Sequence, residues 1–140
     1  MIEPSVALQT ALRGTLIADP AVRALVQPDR IRAGSTRPDL FPCVIMGHAQ
    51  THYLGRASGE QHLARVNLDV HIWAIVDGAD TAKAIGFAVA KTLIDMADHQ
   101  DGFDIDQLDL PRVIWMRDPQ PELAYTHGVI EVEAVIRWRA

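Results

Sequence analysis

The chain has six histidines, and their spacing decides whether they could hold a metal ion. His48 and His52 are four residues apart, which on a helix would bring both rings to one face. The surrounding residues predict a strand instead, where this spacing separates the two side chains by roughly 13 Å. The sequence contains no HExxH motif and no Cys/His pair at zinc spacing. It therefore predicts no metal site and no cofactor.

A run of aspartates that begins at Asp101 has the composition of a calcium-binding loop. An EF-hand needs oxygen ligands at its first, third and fifth positions, a glycine at the sixth and a glutamate at the twelfth. Counted from Asp101, the third position is Phe103 and the twelfth is Arg112. Counted from Asp104, the twelfth position is Trp115. Both registers fail, so we interpret the run as a solvated acidic loop.

Cys43 is the single cysteine, so the chain has no internal disulfide. It follows Pro42 at the start of an apolar segment with no histidine beside it, which favours a buried structural residue over a nucleophile. No GxSxG, GxxxxGK[ST] or GxGxxG motif occurs. A site assembled in space, for example from Asp69 and His71, stays open as an alternative that no motif marks.

The composition excludes two classes of protein. A net charge of −5 and an isoelectric point near 5.6 argue against a dedicated nucleic-acid binder, whose affinity would rest on a basic face. No apolar run approaches the ~20 residues of a membrane span, and the N-terminal apolar residues are spaced as in a helix rather than a signal peptide. With 49% hydrophobic residues, we expect a single domain over residues 1–140.

The elements that must position any site are clearest in the middle of the chain. Apolar residues alternate with polar ones over Val66–Ala74, which predicts a half-buried strand. Over Ile85–Met96 they recur at steps of three and four, which predicts an amphipathic helix. Asp77 or Asp80 is expected to cap the start of this helix.

The remaining elements follow from similar patterns. Helices are predicted over residues 4–18 and 21–26, with Asp19 as N-cap of the second and Pro20 at its first position. Strands are predicted over residues 30–33, 43–51, 113–117 and 130–139, and loops over 53–61 and 99–111. The order α-α-β-β-β-α-β-β predicts an α+β two-layer sandwich. In it, a mainly antiparallel sheet of four to five strands carries helices on one face.

The last predicted strand has one apolar face and one face of mixed charge. Glu131 and Glu133 are followed on that face by Arg137 and Arg139. Such a face could be solvated, or it could be a subunit contact whose charges set the register between copies. Trp73 is predicted to lie on the polar face of its own strand, where a large aromatic ring needs a cover. Both interpretations of these residues stay open.

Several stretches, taken in order, are similar to one protein family. They are residues 4–12 (PSVALQTAL), 18–22 (ADPAV) and 24–26 (ALV), then Arg30-Ile31, 41–44 (FPCV) and Gly47, then 70–74 (VHIWA), Gly78, 82–85 (AKAI) and 88–89 (AV), and finally 127–129 (HGV). With this order and spacing, nearly the whole chain resembles the tail-completion, or tail-terminator, proteins of long-tailed phages and gene transfer agents. Cys43 departs from the family pattern, in which an aromatic residue is frequent.

The resemblance implies a structural, non-enzymatic protein of a virion or phage-like particle that is assembled in the bacterial cytoplasm. Such proteins form a ring, usually a hexamer, at the head-proximal end of the tail, end tube polymerisation and join the tail to the neck. The expected partners are further copies of the chain, the tail tube protein and a neck or connector protein, with no membrane. DNA is expected to pass through the lumen without specific binding, since acidic lumen residues repel phosphates.

Two groups of site residues are hypotheses that accompany this resemblance. The expected subunit contact consists of Trp73, Glu131, Glu133, Arg137 and Arg139. The expected contact with the tube or the neck is the predicted 53–61 loop, with Tyr53, Leu54, Arg56, Glu60 and Gln61. No catalytic, cofactor-binding or metal-binding residue is expected.

Two rival hypotheses remain at this point. One is a small homo-oligomeric α+β enzyme, a hydrolase or isomerase, and its mark would be a pocket in which His71 or His127 meets a carboxylate. The other is a ligand-binding or regulatory domain that oligomerises through its sheet, and its mark would be a closed cavity large enough for a ligand.

Overall fold

A computed structural model describes residues 3–34, 40–75, 79–117 and 125–139. The elements in chain order are α1 (Pro4–Ala18), α2 (Pro20–Arg23), a 3-10 turn (Pro28–Arg30), β1 (Ile31–Ala33), β2 (Cys43–Ala57), β3 (Gln61–Ile75), α3 (Asp80–Ile94), β4 (His99–Gln100), β5 (Phe103–Leu108), β6 (Arg112–Arg117) and β7 (Tyr125–Arg139). The α+β class is confirmed, but the described residues form a sheet of seven strands instead of four or five. No helix among the described residues is long and apolar enough to cross a membrane.

The sheet is built around β3 and β7, which pair antiparallel along their whole length. The strand order is β1-β2-β3-β7-β5-β4, and β6 also pairs with β7. β6 lies beside Thr126–Glu131 and β5 beside Ala134–Arg137, so the two strands share one side of β7. β1 pairs with β2 in parallel, which makes the sheet mixed, while the other pairings between described strands are antiparallel.

Alternate residues of β3 and β7 form the main core against α1 and α3, and we call this side of the sheet the helix face. Its buried residues include Val66, Leu68, Val70 and Ile72 of β3, Ile130, Val132 and Ile136 of β7, Leu8, Leu12 and Leu16 of α1, and Ile85, Val89 and Leu93 of α3. Burying each large apolar side chain stabilises the fold by about 1.5–3 kcal/mol. The opposite side of the sheet, which we call the open face, carries the intervening residues.

Capping side chains mark the start of each of the first two helices. Glu3 precedes α1, and its carboxylate accepts hydrogen bonds from the Ser5 and Val6 backbone N–H groups. Asp19 ends α1 and caps α2, because its Oδ1 accepts from the Ala21 N–H at 2.8 Å. α2 ends at Arg23, three residues earlier than expected, although the next residues continue as a turn.

The expected Asp80 cap of α3 is wrong. Ala79 occupies the N-cap position in a left-handed conformation (φ 67°) and makes no side-chain cap bond. Asp80 is instead the first helical residue, where its charge still complements the positive end of the helix dipole. Asp77, the other candidate, lies outside the described residues.

Both segments predicted as loops contain strand. β2 continues to Ala57, and the short turn Ser58–Glu60 leads into β3, so the 53–61 segment is mainly the end of a long hairpin. Gly55 lies at an irregularity in this hairpin with φ 111°, and Gly59 forms the turn with φ 75°. These glycines and the polar composition indicated a loop. They instead mark a bulge and a turn in a ribbon whose side chains are mostly exposed.

The acidic segment 99–111 holds the β4–β5 hairpin. Phe103 and Ile105 alternate with Asp104 and Asp106, and both apolar side chains are buried in the core. Asp104 and Asp106 are therefore the polar half of a period-two pattern, so the interpretation of the whole run as a solvated loop is wrong.

Trp115 fixes β6 to the rest of the protein. Its indole lies between Gly86 of α3 and Gly128 of β7. A Cβ atom built on Gly86 would be 2.6 Å from Trp115 Cη2, and one on Gly128 would be 2.5 Å from Cζ3. Because no side chain fits at either position, the two glycines make the space that the indole needs.

Candidate functional site

One end of the open face carries a second, small core, which we call the aromatic cluster: Phe41, Cys43, Ile45, Trp73 and Tyr125. Trp73 stacks on His127 at 3.9 Å between ring centroids, and Phe41 stacks on Tyr125 at 3.7 Å. Trp73 is only 4% exposed. Residues of the same chain therefore already cover Trp73, which leaves little of its surface for a neighbouring subunit.

Two histidines meet beside this cluster. His71 Nδ1 lies 2.8 Å from His127 Nε2, so one nitrogen donates a hydrogen bond and the other accepts it. Burial lowers the pKa of His71, and the nearby charge of Asp69 opposes that shift. Because the hydrogen bond needs one nitrogen without a proton, it is lost when both rings are fully protonated.

The mixed charges of β7 all have partners in the same chain. The pairs are Glu131 with Arg112 (2.7 Å), Glu133 with Arg65 (3.5 Å), Arg137 with Asp106 (3.1 Å), and Arg139 with the Gly59 carbonyl oxygen (3.1 Å). Groups of the same chain thus satisfy the charges that were expected to contact a second subunit. Exposed pairs of this kind contribute about 0–1 kcal/mol each, so they exchange partners at little cost.

A depression of about 430 Å³ lies near the middle of the open face. Its lining residues are His48, Gln50, Asn67, Asp69, Asp109, Leu110, Arg112, Glu131, Val132 and Glu133. A hydrogen bond shared with Asp109 raises the pKa of Glu133, whereas a bond from Gln107 lowers the pKa of Asp109. Among the residues that the structure describes, no group of three or more His, Cys, Asp or Glu is arranged to hold a metal ion.

The residues expected to contact the tube or the neck divide into two sets. Tyr53 and Leu54 are exposed apolar residues at the end of the hairpin, with 61% of Tyr53 accessible. Arg56 and Glu60 beside them are also exposed. Gln61 belongs instead to the sheet, because its Oε1 accepts a hydrogen bond from Arg137 Nη1 at 2.8 Å.

The enzyme hypothesis gains no support from this arrangement. His71 meets an imidazole ring through Nδ1, and neither His71 nor His127 lines the acidic depression. The ligand-binding hypothesis expected a closed cavity, whereas this depression is open at the surface.

Sequence reasoning missed three features of the structure: the histidine pair, the indole of Trp115 between two glycines, and the β4–β5 hairpin. The period of two places His71 and His127 on polar faces, but no local pattern pairs one strand with another. Glycine in the middle of a helix and in a long strand was the available signal for the Trp115 contact.

The chain is thus an α+β domain with one sheet face packed against helices and one face that carries partly exposed ion pairs. The model of the tail completion protein gp17 family matches residues 10–137 of the chain, and the chain belongs to that family. It is accordingly a structural protein of phage-type tails, located in a virion or phage-like particle together with other tail proteins. The resemblance seen in the sequence is confirmed.

Two solved structures share the fold. A chain from the virion of a native gene transfer agent particle superposes with a TM-score of 0.75 at 20% identity, over 98% of this chain and 99% of that one. The gp17 protein of bacteriophage SPP1 superposes with a TM-score of 0.56 at 23% identity, over 94% of this chain and 89% of that one. No curated protein sequence matches the chain.

Proposed function

We propose that copies of this protein form a ring, a hexamer, on the head-proximal end of a phage-type tail. There the ring ends polymerisation of the tail tube and joins the tail to a neck or connector protein. The observation that carries the proposal is membership of the tail completion family over residues 10–137. The similar fold of a chain in a gene transfer agent virion supports it, because that chain works inside an assembled particle.

This role requires surfaces and no catalysis. Around its depression the open face offers Asp69 and Asp109, which are not part of the proposed subunit contact. Carboxylates at such a density repel a phosphate backbone, which favours DNA that passes the protein without binding to it. The net charge of −5 supports the same behaviour.

The subunit contact is proposed to use Glu131, Glu133, Arg137 and Arg139 of β7. Their present ion pairs are partly exposed, so a second copy can replace one partner of a pair with little loss. Trp73 would act indirectly, by holding the aromatic cluster that supports this strand.

The contact with the tube or the neck is assigned to the end of the β2–β3 hairpin. Tyr53 and Leu54 supply exposed apolar surface, and Arg56 and Glu60 supply charge at the same end. Gln61 anchors the base of this end through Arg137. Tyrosine and arginine are among the residues that contribute most to binding at protein–protein contacts.

The test is a polymerisation assay with the tail tube protein of the same particle. Adding this protein should shorten the tubes in electron micrographs and leave a ring at one end of each tube. Unchanged tube lengths and bare tube ends would overturn the proposal.

The hairpin assignment has its own variant and control. Leu54→Ala combined with Arg56→Ala should leave ring formation intact and abolish joining to the tube or the neck. The matched control is Ile94→Ala with Lys91→Ala, an exposed aliphatic and an exposed basic residue of α3, which should join normally. If the hairpin variant no longer forms rings, these residues are part of the subunit contact instead.

A further inference from the structure

The sheet has two long edges that no described strand covers. β1 pairs with β2 only at Val44–Met46, so the outer edge of β2 beyond Met46 has no partner strand among the described residues. On the other side, β6 pairs with β7 through one edge, and its second edge likewise has no partner among the described strands. Each open edge presents backbone N–H and C=O groups that a further strand can pair with.

The other two edges of the same sheet, which belong to β1 and β4, are protected. β1 is three residues long, and Arg13 Nε donates to its Ile31 carbonyl oxygen at 2.8 Å. β4 is two residues long. Short strands and blocked carbonyls are the usual means by which proteins prevent edge pairing.

The two open edges lack such protection. The outer part of β2, residues 47–57, contains no proline and a single formal charge, Arg56. Irregularities interrupt its pairing with β3 at Met46/Ala49 and Tyr53/Gly55, which leaves Ala49–Tyr53 as a regular run. β6 pairs with β7 without any irregularity over six residues. The two edges therefore offer regular strands of nearly equal length.

We infer that the ring closes by strand pairing, with Ala49–Tyr53 of one copy added antiparallel to β6 of the next copy. The inference rests on the proposed ring, and it adds a backbone contact between neighbouring copies to the proposed contact through the β7 charges. The two edges belong to opposite sides of one sheet, so their pairing is a head-to-tail contact of the kind that closes into rings. A second copy is the natural occupant, because the open edge of β6 in one copy can supply the partner strand that β2 lacks in the next copy.

The strand directions in one copy dictate the antiparallel sense. β2 runs against β3, β3 against β7, and β7 against β6, so β2 and β6 point in opposite directions. Rotating a copy about the ring axis keeps the up or down sense of each strand along that axis. The β6 of the rotated copy therefore meets β2 antiparallel.

The register of the strands in the sheet is compatible with a closed ring of copies. Thr51 at the centre of the β2 run is level with Ala134 of β7, whereas the centre of β6 is level with residues 128 and 129. This offset of about five to six residues is ~18 Å. The repeat per copy is ~19 Å, which is the four strands β2, β3, β7 and β6 at about 4.8 Å each, including the gap to the neighbouring copy. Strands tilted by roughly 40–45° to the ring axis absorb that offset, close to the 35–45° common in closed sheets.

The side chains on the two edges are compatible. Gln50 and His52 of β2 lie on the open face, as do Ile114 and Met116 of β6. Ile114 and Met116 are 40% and 42% exposed, so pairing would cover apolar surface that the single chain leaves accessible. No like charges oppose each other at these positions.

The test uses cysteines placed on the two edges in separate copies of the full chain. Gln50→Cys and Ile114→Cys are purified singly, mixed, assembled with the tube protein and oxidised, and Met116→Cys replaces Ile114→Cys in a second mixture to cover the neighbouring register. Directly opposed residues have Cβ atoms about 4.5–5.5 Å apart, near enough for a disulfide after a small shift. Cys43 is buried and stays in every variant.

The expected result is a cross-linked dimer in at least one mixture and none in the single variants. The control replaces the β6 cysteine by Ile94→Cys, an exposed position on α3, and should give no dimer. Backbone amides within 49–53 and 112–117 should also exchange with solvent at least about tenfold more slowly in rings than in single chains.

Two results would overturn the inference while the ring role stands. One is a dimer from Gln50→Cys alone, which would mean that two β2 edges pair about a two-fold axis. The other is rings that form in the microscope without cross-links and without amide protection. If no rings form and tube lengths do not change, the inference and the proposed function both fail.

Discussion

Leu68 and Asp69 are neighbours in β3, but they lie on two faces of the sheet with different tasks. Leu68 is buried against the helices, whereas Asp69 lines an open depression beside Glu131. The helix face is almost wholly apolar, and its packing holds the elements together. The open face carries a small aromatic cluster at one end and partly exposed ion pairs elsewhere. One strand thus serves folding on one side and assembly on the other.

The largest effect on stability should come from truncating a buried apolar side chain of the main core. Truncation of an apolar side chain on the open face provides the comparison. Leu12→Ala empties a fully buried position of the main core and should lower the free energy of unfolding by about 2–5 kcal/mol. Ile114→Ala removes a partly exposed side chain of the open face and should lower it by less than about 1 kcal/mol. Urea denaturation measures both values. Equal losses would mean that the open face is as tightly packed as the helix face.

Substitution of Gly86, which lies against Trp115, and of Gly14, which has open space around it, should change the free energy of unfolding in opposite directions. Gly86→Ala places a Cβ against the indole, and overpacking of this kind lowers the free energy of unfolding by about 1–3 kcal/mol. The control is Gly14→Ala in α1, where no atom lies within 4 Å, so the better helix former should raise stability by ~0.5–1 kcal/mol. Tryptophan fluorescence should shift only in the Gly86 variant. A stabilising Gly86→Ala would contradict the packing described for β6.

Acid should weaken the open face before it affects the helix face. Burial lowers the pKa of His71 below its ordinary value of 6.5, so the unfolded chain binds this proton more readily than the folded chain does. The contribution of uncharged His71 to the stability of the fold is therefore fully present well above pH 6.5, and it declines as the pH falls through that value. Urea midpoints between pH 7.5 and 5 should show the decline, and His71→Gln should reduce it. His52→Gln, at an exposed site, should leave the decline unchanged.

The smallest effect on folding is expected from the ion pairs of β7. Glu131→Gln removes the partner of Arg112 at an exposed site, so the free energy of unfolding should change by less than about 0.5 kcal/mol. Its effect should appear in assembly instead, as fewer or shorter-lived rings in native mass measurements. A clear loss of stability with normal rings would assign this charge to folding rather than to the subunit contact.

The sequence by itself determined the elements whose signals are local. The proline and capping residues predicted α1 over Pro4–Ala18 and the Asp19-Pro20 start of α2, because a cap acts within one helical turn. The period of two predicted β3, β7 and the face of each residue on them, because successive strand side chains point to opposite sides. The order of short motifs along the chain indicated the family, which the family match confirms.

The tertiary structure alone decided which elements meet. A strand pattern specifies the face of a residue and leaves its partner strand open, so nothing local could predict that His71 bonds with His127 or that Trp73 is covered. The same limit hid the β4–β5 hairpin, since its aspartates gain a structural meaning only once Phe103 and Ile105 find the core. Register and pairing arise from contacts between residues far apart in the chain. They therefore decided the open edges and the surfaces proposed for assembly.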